Sequence, residues 1–181
     1  LLLASGNRHF AFFRFFLLLL LLLLLIPGCA AVGSVSVRES DLRQAVLADQ
    51  SFTVESIPAE ASAHRAASLR LAAEAYRSLQ EGRPEEAEDG FEKALSLDPR
   101  NPFCYLYLAE IRHREGDTRQ AIVLLHQGEV MFQGHPYWLG EIYTREGRCW
   151  EALDDEGRAQ EAYAKALEQN PWSEEARKRI H

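Results

Sequence analysis

The stretch GRPEEAEDGFEKALSLDP, Gly82 to Pro99, reads as a turn, one amphipathic helix and a stop. Gly82 suits the left-handed position that ends a preceding helix, and Pro84 has the backbone of a first helical residue. Glu85 and Glu86 fall in the positive first turn of the new helix. Ala87, Phe91, Ala94 and Leu95 recur at helical spacing and make one apolar stripe, and Asp98-Pro99 closes the segment. A single helix cannot cover its own stripe, so this stretch needs partners elsewhere in the chain.

The chain supplies them by repetition. Shifted by 34 residues, Leu71 falls on Tyr105, Ala75 on Ala109, Gly82 on Gly116, Ala87 on Ala121 and Phe91 on Leu125. Shifted again, now by 38, Tyr105 falls on Tyr143, Ala109 on Gly147, Ala121 on Ala159 and Leu125 on Tyr163. Ala94, Gly128 and Ala166 align in the same way, as do Pro99, Gln133 and Pro171. Gly116 ends a helix, Asp117 caps the next with Gln120 three residues on, and Asn101-Pro102 and His135-Pro136 open new ones. Pro102 and Pro136 keep the 34-residue spacing, so the four extra residues fall after Pro136 and add about one turn to the helix there.

A period of 34 with small and aromatic residues at these offsets resembles the tetratricopeptide repeat (TPR) family over residues 68–171. The third copy matches the first-helix signature best, through Tyr143, Gly147 and Trp150; Glu74, Ser78, Gly128 and Gln133 depart from it. The resemblance implies an all-α fold, a right-handed α-solenoid of about three helical hairpins (68–101, 102–135 and 136–172). Ser173 caps a final covering helix, Glu174 to Ile180, with Ala176 and Ile180 inward. An Ala-rich run from Glu60 to Leu79 predicts an elongated first helix. The domain is expected to span 58–181.

In that family the first helices of successive hairpins line a groove that holds a peptide. The face of each first helix opposite its packing stripe gives the expected partner-binding residues: Leu69, Tyr76, Phe103, Leu106, Glu110, His113, Arg114, Arg148 and Glu151. Ala72, Leu79, Glu141 and Thr144 fall on the same face. Chaperone-binding members clamp a terminal carboxylate with Lys and Asn; Ala72 and Tyr76 stand at such places here, which favours an apolar helix or extended segment as ligand instead.

Composition excludes several other classes. The chain has 181 residues, 47% hydrophobic and 26% charged, with a net charge of −7. Its acidic balance offers no basic stripe for nucleic acid. No nucleotide-binding glycine motif, HExxH, CxxC or GxSxG elbow occurs, so no catalytic residues, metal ligands or cofactors are expected. Cys104 and Cys149 sit seven residues apart in the repeat frame, too far for a disulfide. Acidic runs at Glu85-Glu86 and Asp154-Asp155-Glu156 read as helix caps. Trp150 falls at a core place of the repeat, whereas Trp138 precedes the matched region and is the tryptophan least readily assigned to packing.

The N-terminal part reads differently. Arg8, His9 and Arg14 precede twelve apolar residues, Phe15 to Ile26, with nine consecutive leucines. A basic start, an apolar core and small residues beyond it are the parts of a secretory signal. Ile26-Pro27-Gly28-Cys29-Ala30 resembles the lipobox of bacterial lipoproteins, which implies cleavage after residue 28, acylation of Cys29 and, with Ala30 following, sorting to the outer membrane. Pro27 departs from that pattern. The competing reading is an uncleaved transmembrane anchor, since no charge occurs from Phe15 to Val37. Both put the rest of the chain on the outer, periplasmic side. Residues 29–57 read as a flexible tether. The first residue is not an initiator Met, so the true start is left open. The expected function is that of a non-catalytic, membrane-anchored adaptor or scaffold in assembly of the bacterial cell envelope, with a protein or peptide as partner. The alternative is a structural protein that self-associates.

Overall fold

A computed structural model describes residues 62–180; the residues expected to form a signal and a tether lie outside the described residues. Those residues form seven helices: α1 (Ala63–Gln80), α2 (Pro84–Leu97), α3 (Pro102–Arg114), α4 (Thr118–Met131), α5 (Pro136–Ala152), α6 (Glu156–Gln169) and α7 (Glu174–Arg179). No strand occurs among them, and no described helix is long and apolar enough to cross a membrane.

The helix ends follow the local chemistry. α2 starts at Pro84 with Glu85 and Glu86 in its first turn. Asp117 accepts a hydrogen bond from the Gln120 amide, Asp155 from Arg158, and Ser173 from Ala176, so each caps the helix it precedes. The turn residue is left-handed in all three hairpins: Gly82 at φ 76°, Gly116 at 89° and, at the equivalent place of the third copy, Asp154 at 57°. Aspartate tolerates that region better than most side chains, though at some strain.

Each hairpin pairs its own helices, α1 with α2, α3 with α4 and α5 with α6, and successive hairpins then stack. The stripe read from the sequence is the seam of the first hairpin: Ala87, Phe91 and Ala94 are all fully buried. Burying one phenylalanine contributes about 2–3 kcal/mol, and the buried residues form a main core from α1 to α5 and a smaller one in α6 and α7, with half-buried Tyr143 and Trp150 packed against both. Small residues set the approach of the helices. A Cβ on Gly147 would lie 2.5 Å from the Tyr163 ring, and one on Gly90 would lie 2.7 Å from the Ala75 Cβ. The first two hairpins are also joined by polar groups. Asn101 donates to Ser68 Oγ at 2.9 Å, and Ser68 donates to the Ala94 carbonyl at 2.7 Å, both side chains being buried. Paired in this way, the two groups meet little desolvation penalty.

The inserted turn is where the spacing places it: α5 has 17 residues against 13 in α3. Two expectations need correction. Trp138 lies in that extra turn and is a core residue, 7% exposed, against Phe103 (ring centroids 5.0 Å apart) and Phe132 (5.7 Å). The repeat frame had no slot for it because the residues around it are the insertion. Ile180 does not turn inward: α7 ends at Arg179, Ile180 is its extended C-cap, and its side chain is 37% exposed, leaving Ala176 as the buried contact.

Candidate partner-binding face

Successive hairpins stack chiefly through the second helix of one and the first helix of the next, α2 on α3 and α4 on α5, and the first helices also touch, α1 with α3 and α3 with α5. Because successive first helices are in contact, α1, α3 and α5 present one shared face.

That face has two seams. Between α1 and α3 it is aromatic. Tyr76 stacks on Tyr107 with centroids 4.4 Å apart, and Tyr107 stacks on Phe91 beneath it at 5.7 Å. Tyr107 is buried and Tyr76 half-buried, so the stack runs from the core to the surface. Burial, with Tyr76 beside it, raises the Tyr107 phenol well above its ordinary value. Tyr137 of α5 is half-buried, raised by the same desolvation and by the nearby Glu141 carboxylate.

Between α3 and α5 the face is ionic. Glu110, 8% exposed, receives Arg114 Nε at 2.9 Å from its own helix. From α5 come Arg145 Nε at 3.4 Å and a terminal nitrogen of Arg148 at 3.5 Å. Arg145 also pairs with Glu141 at 2.5 Å, and Arg148 approaches Glu175 of α7 at 3.8 Å. Burial alone would raise the Glu110 carboxyl, but the guanidiniums of Arg145, Arg148 and Arg114 outweigh it and hold the group below its ordinary value. A buried carboxylate needs this degree of pairing to stay ionised.

Beside this network Cys149 Sγ lies 3.7 Å from His113 Nδ1. The pair is not an activated nucleophile. Burial pushes the Cys149 thiol up to about 12, and burial together with Arg148 holds the His113 imidazolium below its ordinary value. The thiol is therefore protonated at neutral pH. Cys104 and Cys149 are both free and buried. Among the described residues no cluster of three or more His, Cys, Asp or Glu is placed to hold a metal ion.

The structure divides the residues expected on this face. Glu110, His113, Arg114 and Arg148 come together, and Tyr76 lies on the aromatic seam. Leu69 and Leu106 do not belong to an open surface: they are 6% and 0% exposed, as Ala72 (0%), Leu79 (4%) and Thr144 (3%) are also buried. The reason is geometric. A first helix touches both its own hairpin partner and the next first helix, so the face opposite one packing stripe is in part a second packing stripe. Phe103 is half-buried and spends its ring edge-on against Phe132 and Trp138. Glu151 lies further along α5, ion-paired with Arg179 of α7. Three residues central to the face were missed: Tyr107, Arg145 and Tyr137. Arg145 had a readable signal, as it follows Glu141 at the i, i+4 spacing of a helical ion pair.

The tetratricopeptide repeat family model matches residues 78–140, from the end of α1 into α5. The fold of the described residues is an all-helical, TPR-like solenoid. Solved TPR structures resemble it. The first TPR of Spaghetti (RPAP3) bound to HSP90 peptide SRMEEVD is 24% identical, with 62% of this chain and 89% of that one covered, at a TM-score of 0.56. The N-terminal domain of stress-induced protein-1 (STI-1) from C. elegans is 16% identical, covering 66% and 96%, at 0.58. MamA is 19% identical, covering 78% and 75%, at 0.55. At these identities the likeness concerns the fold. No curated protein matches the chain. TPR domains are in general non-catalytic modules that mediate protein–protein interactions.

Proposed function

We propose that this chain is a non-catalytic adaptor or scaffold of the bacterial cell envelope that takes a segment of another protein on the α1–α3–α5 face. The observation that carries this reading is the face itself: three first helices brought edge to edge, with a surface-reaching aromatic stack beside a cluster of partly exposed guanidiniums. Aromatic rings and arginines are the side chains that most often dominate binding energy. The Spaghetti TPR, seen with an HSP90 peptide, supports a peptide segment as the kind of ligand such a fold accepts. A photo-crosslinking residue placed at Arg114, 56% exposed at the edge of the cluster, tests the assignment in cells. Adducts from Arg114 and none from Val130 on α4 are expected; adducts from Val130 alone would move the partner to the second-helix side.

The anchor is part of the same proposal. A lipid on Cys29 would hold the solenoid at the outer membrane on a tether of residues 29–57. Cys29→Ser should remove the acyl mass and accumulate uncleaved precursor. An intact N-terminus without lipid in the natural chain would replace the lipid by a transmembrane anchor. Self-association is a second reading, favoured by Val123 and Val130, which α4 leaves 48% and 69% exposed at positions seven residues apart. Light scattering decides it: a monomer at micromolar concentration removes it.

A further inference from the structure

The ionic seam has a property that the aromatic seam lacks: it is already occupied. Three guanidiniums from two helices converge on one carboxylate, and that carboxylate belongs to the chain. The Glu110 side chain is 9% exposed, whereas the side chains of Arg148, at 28%, and Arg114, at 56%, are more open, and Arg145, at 20%, keeps its Nε buried. The remaining acids take one arginine each, Glu141 with Arg145 and Glu175 with Arg148. The cluster is therefore electrically balanced around Glu110, with Arg114 and Arg148 still reachable from solvent.

An acidic partner would meet this cluster at a disadvantage. Glu110 is tethered on α3 and pays no association entropy, whereas an incoming carboxylate does. Even after displacing it from one guanidinium, the newcomer would sit beside a like charge that cannot leave. A neutral segment meets neither obstacle, and the adjoining, half-buried Tyr76 offers it apolar contact.

We infer that Glu110 is the specificity-determining residue of this face: it occupies the guanidinium cluster of Arg114, Arg145 and Arg148 from within, and so excludes partner segments that present carboxylates there. This rests on the reading that the face takes a protein segment. It assigns Glu110 a repulsive role, the kind of element by which binding surfaces reject wrong partners. Replacing it by the isosteric amide removes the balancing charge and leaves the three guanidiniums in excess of their carboxylates.

The test is binding of fluorescein-labelled hexaglutamate to the full chain in detergent at low salt, read by anisotropy. The natural chain should show no saturable binding below about 1 mM, the range of a weak encounter. Glu110→Gln should bind at least about tenfold tighter, since charge-assisted hydrogen bonds become available, and adding Arg148→Ala should remove the gain. Glu88→Gln, which removes one negative charge at the α2–α3 contact instead, should gain nothing. Tight binding by the natural chain, an equal gain in the Glu88 variant, or no gain in a folded Glu110→Gln chain would each overturn the inference. So would a Glu110→Gln chain that is unfolded and not restored by millimolar hexaglutamate. The Arg114 crosslink in cells is a separate readout: its persistence alongside a failed anisotropy test would leave the face as a binding surface and remove only the role of Glu110.

Discussion

The α1–α3 and α3–α5 seams occupy equivalent places one repeat apart, yet they are held by different forces. The first is a column of rings, Phe91 to Tyr107 to Tyr76, whose foundation is the core of the first hairpin. The second is a set of ion pairs around Glu110, whose foundation is the position of α5. The repeat fixes where the helices go and leaves the seam free to vary. Dispersion and burial hold the aromatic seam through the acid and neutral range; the ionic seam depends on protonation and screening.

The largest expected effect comes from removing the foundation of the aromatic seam. Phe91→Asp puts an unpaired carboxylate where no solvent reaches and should cost more than about 4 kcal/mol. That is a large fraction of the stability of a domain, and circular dichroism should show loss of cooperative unfolding. Next comes the foundation of the ionic seam. Gly147→Ala drives a methyl into the Tyr163 ring and should cost about 1–3 kcal/mol by overpacking, read as a lower denaturant midpoint. It should also displace Arg145 and Arg148 on the same helix, so a stable Gly147→Ala chain with unchanged hexaglutamate behaviour would separate the seam from the hairpin that carries it.

Acid should divide the two seams without any mutation. The Glu110 carboxyl is held below its ordinary value of 4.5 in the folded chain. Unfolding raises its affinity for a proton, so its contribution is full above about pH 4.5 and is lost as pH falls through the lower folded value. Thermal unfolding followed downward from pH 6 should show the natural chain losing stability in that window, and Glu110→Gln losing less. Equal slopes for both would mean that Glu110 is not held by its arginines. The smallest effect concerns the turn that leads away from α5. Asp154 takes the left-handed place that glycine fills in the first two hairpins. Asp154→Gly should therefore stabilise by up to about 1 kcal/mol, visible as a small rise in Tm.

The stack was legible in the sequence because its determinants are local and repeated. Gly82, Gly116, the prolines at 84, 102 and 136, and the stripe Ala87-Phe91-Ala94 each announce an element within a few residues. The face was only partly legible. Glu110, His113 and Arg114 share one face of α3, and Arg148 takes the place of Glu110 on α5, so counting positions found them. Leu69 and Leu106 were misplaced because a helix with two neighbours buries two stripes, and a single chain position does not reveal the second neighbour. Tyr107 and Arg145 were missed for the converse reason: their roles come from rings and charges contributed by another repeat.

The additional turn at the start of α5 has a consequence for how the molecule opens. Trp138 in that turn packs with Phe103 and Phe132, thereby riveting the third hairpin to the second. In a stack where stability passes from neighbour to neighbour, such a rivet merges two units into one cooperative block. Amide protons of α3 to α6 would then exchange together and slowly, with α7 fraying ahead of them.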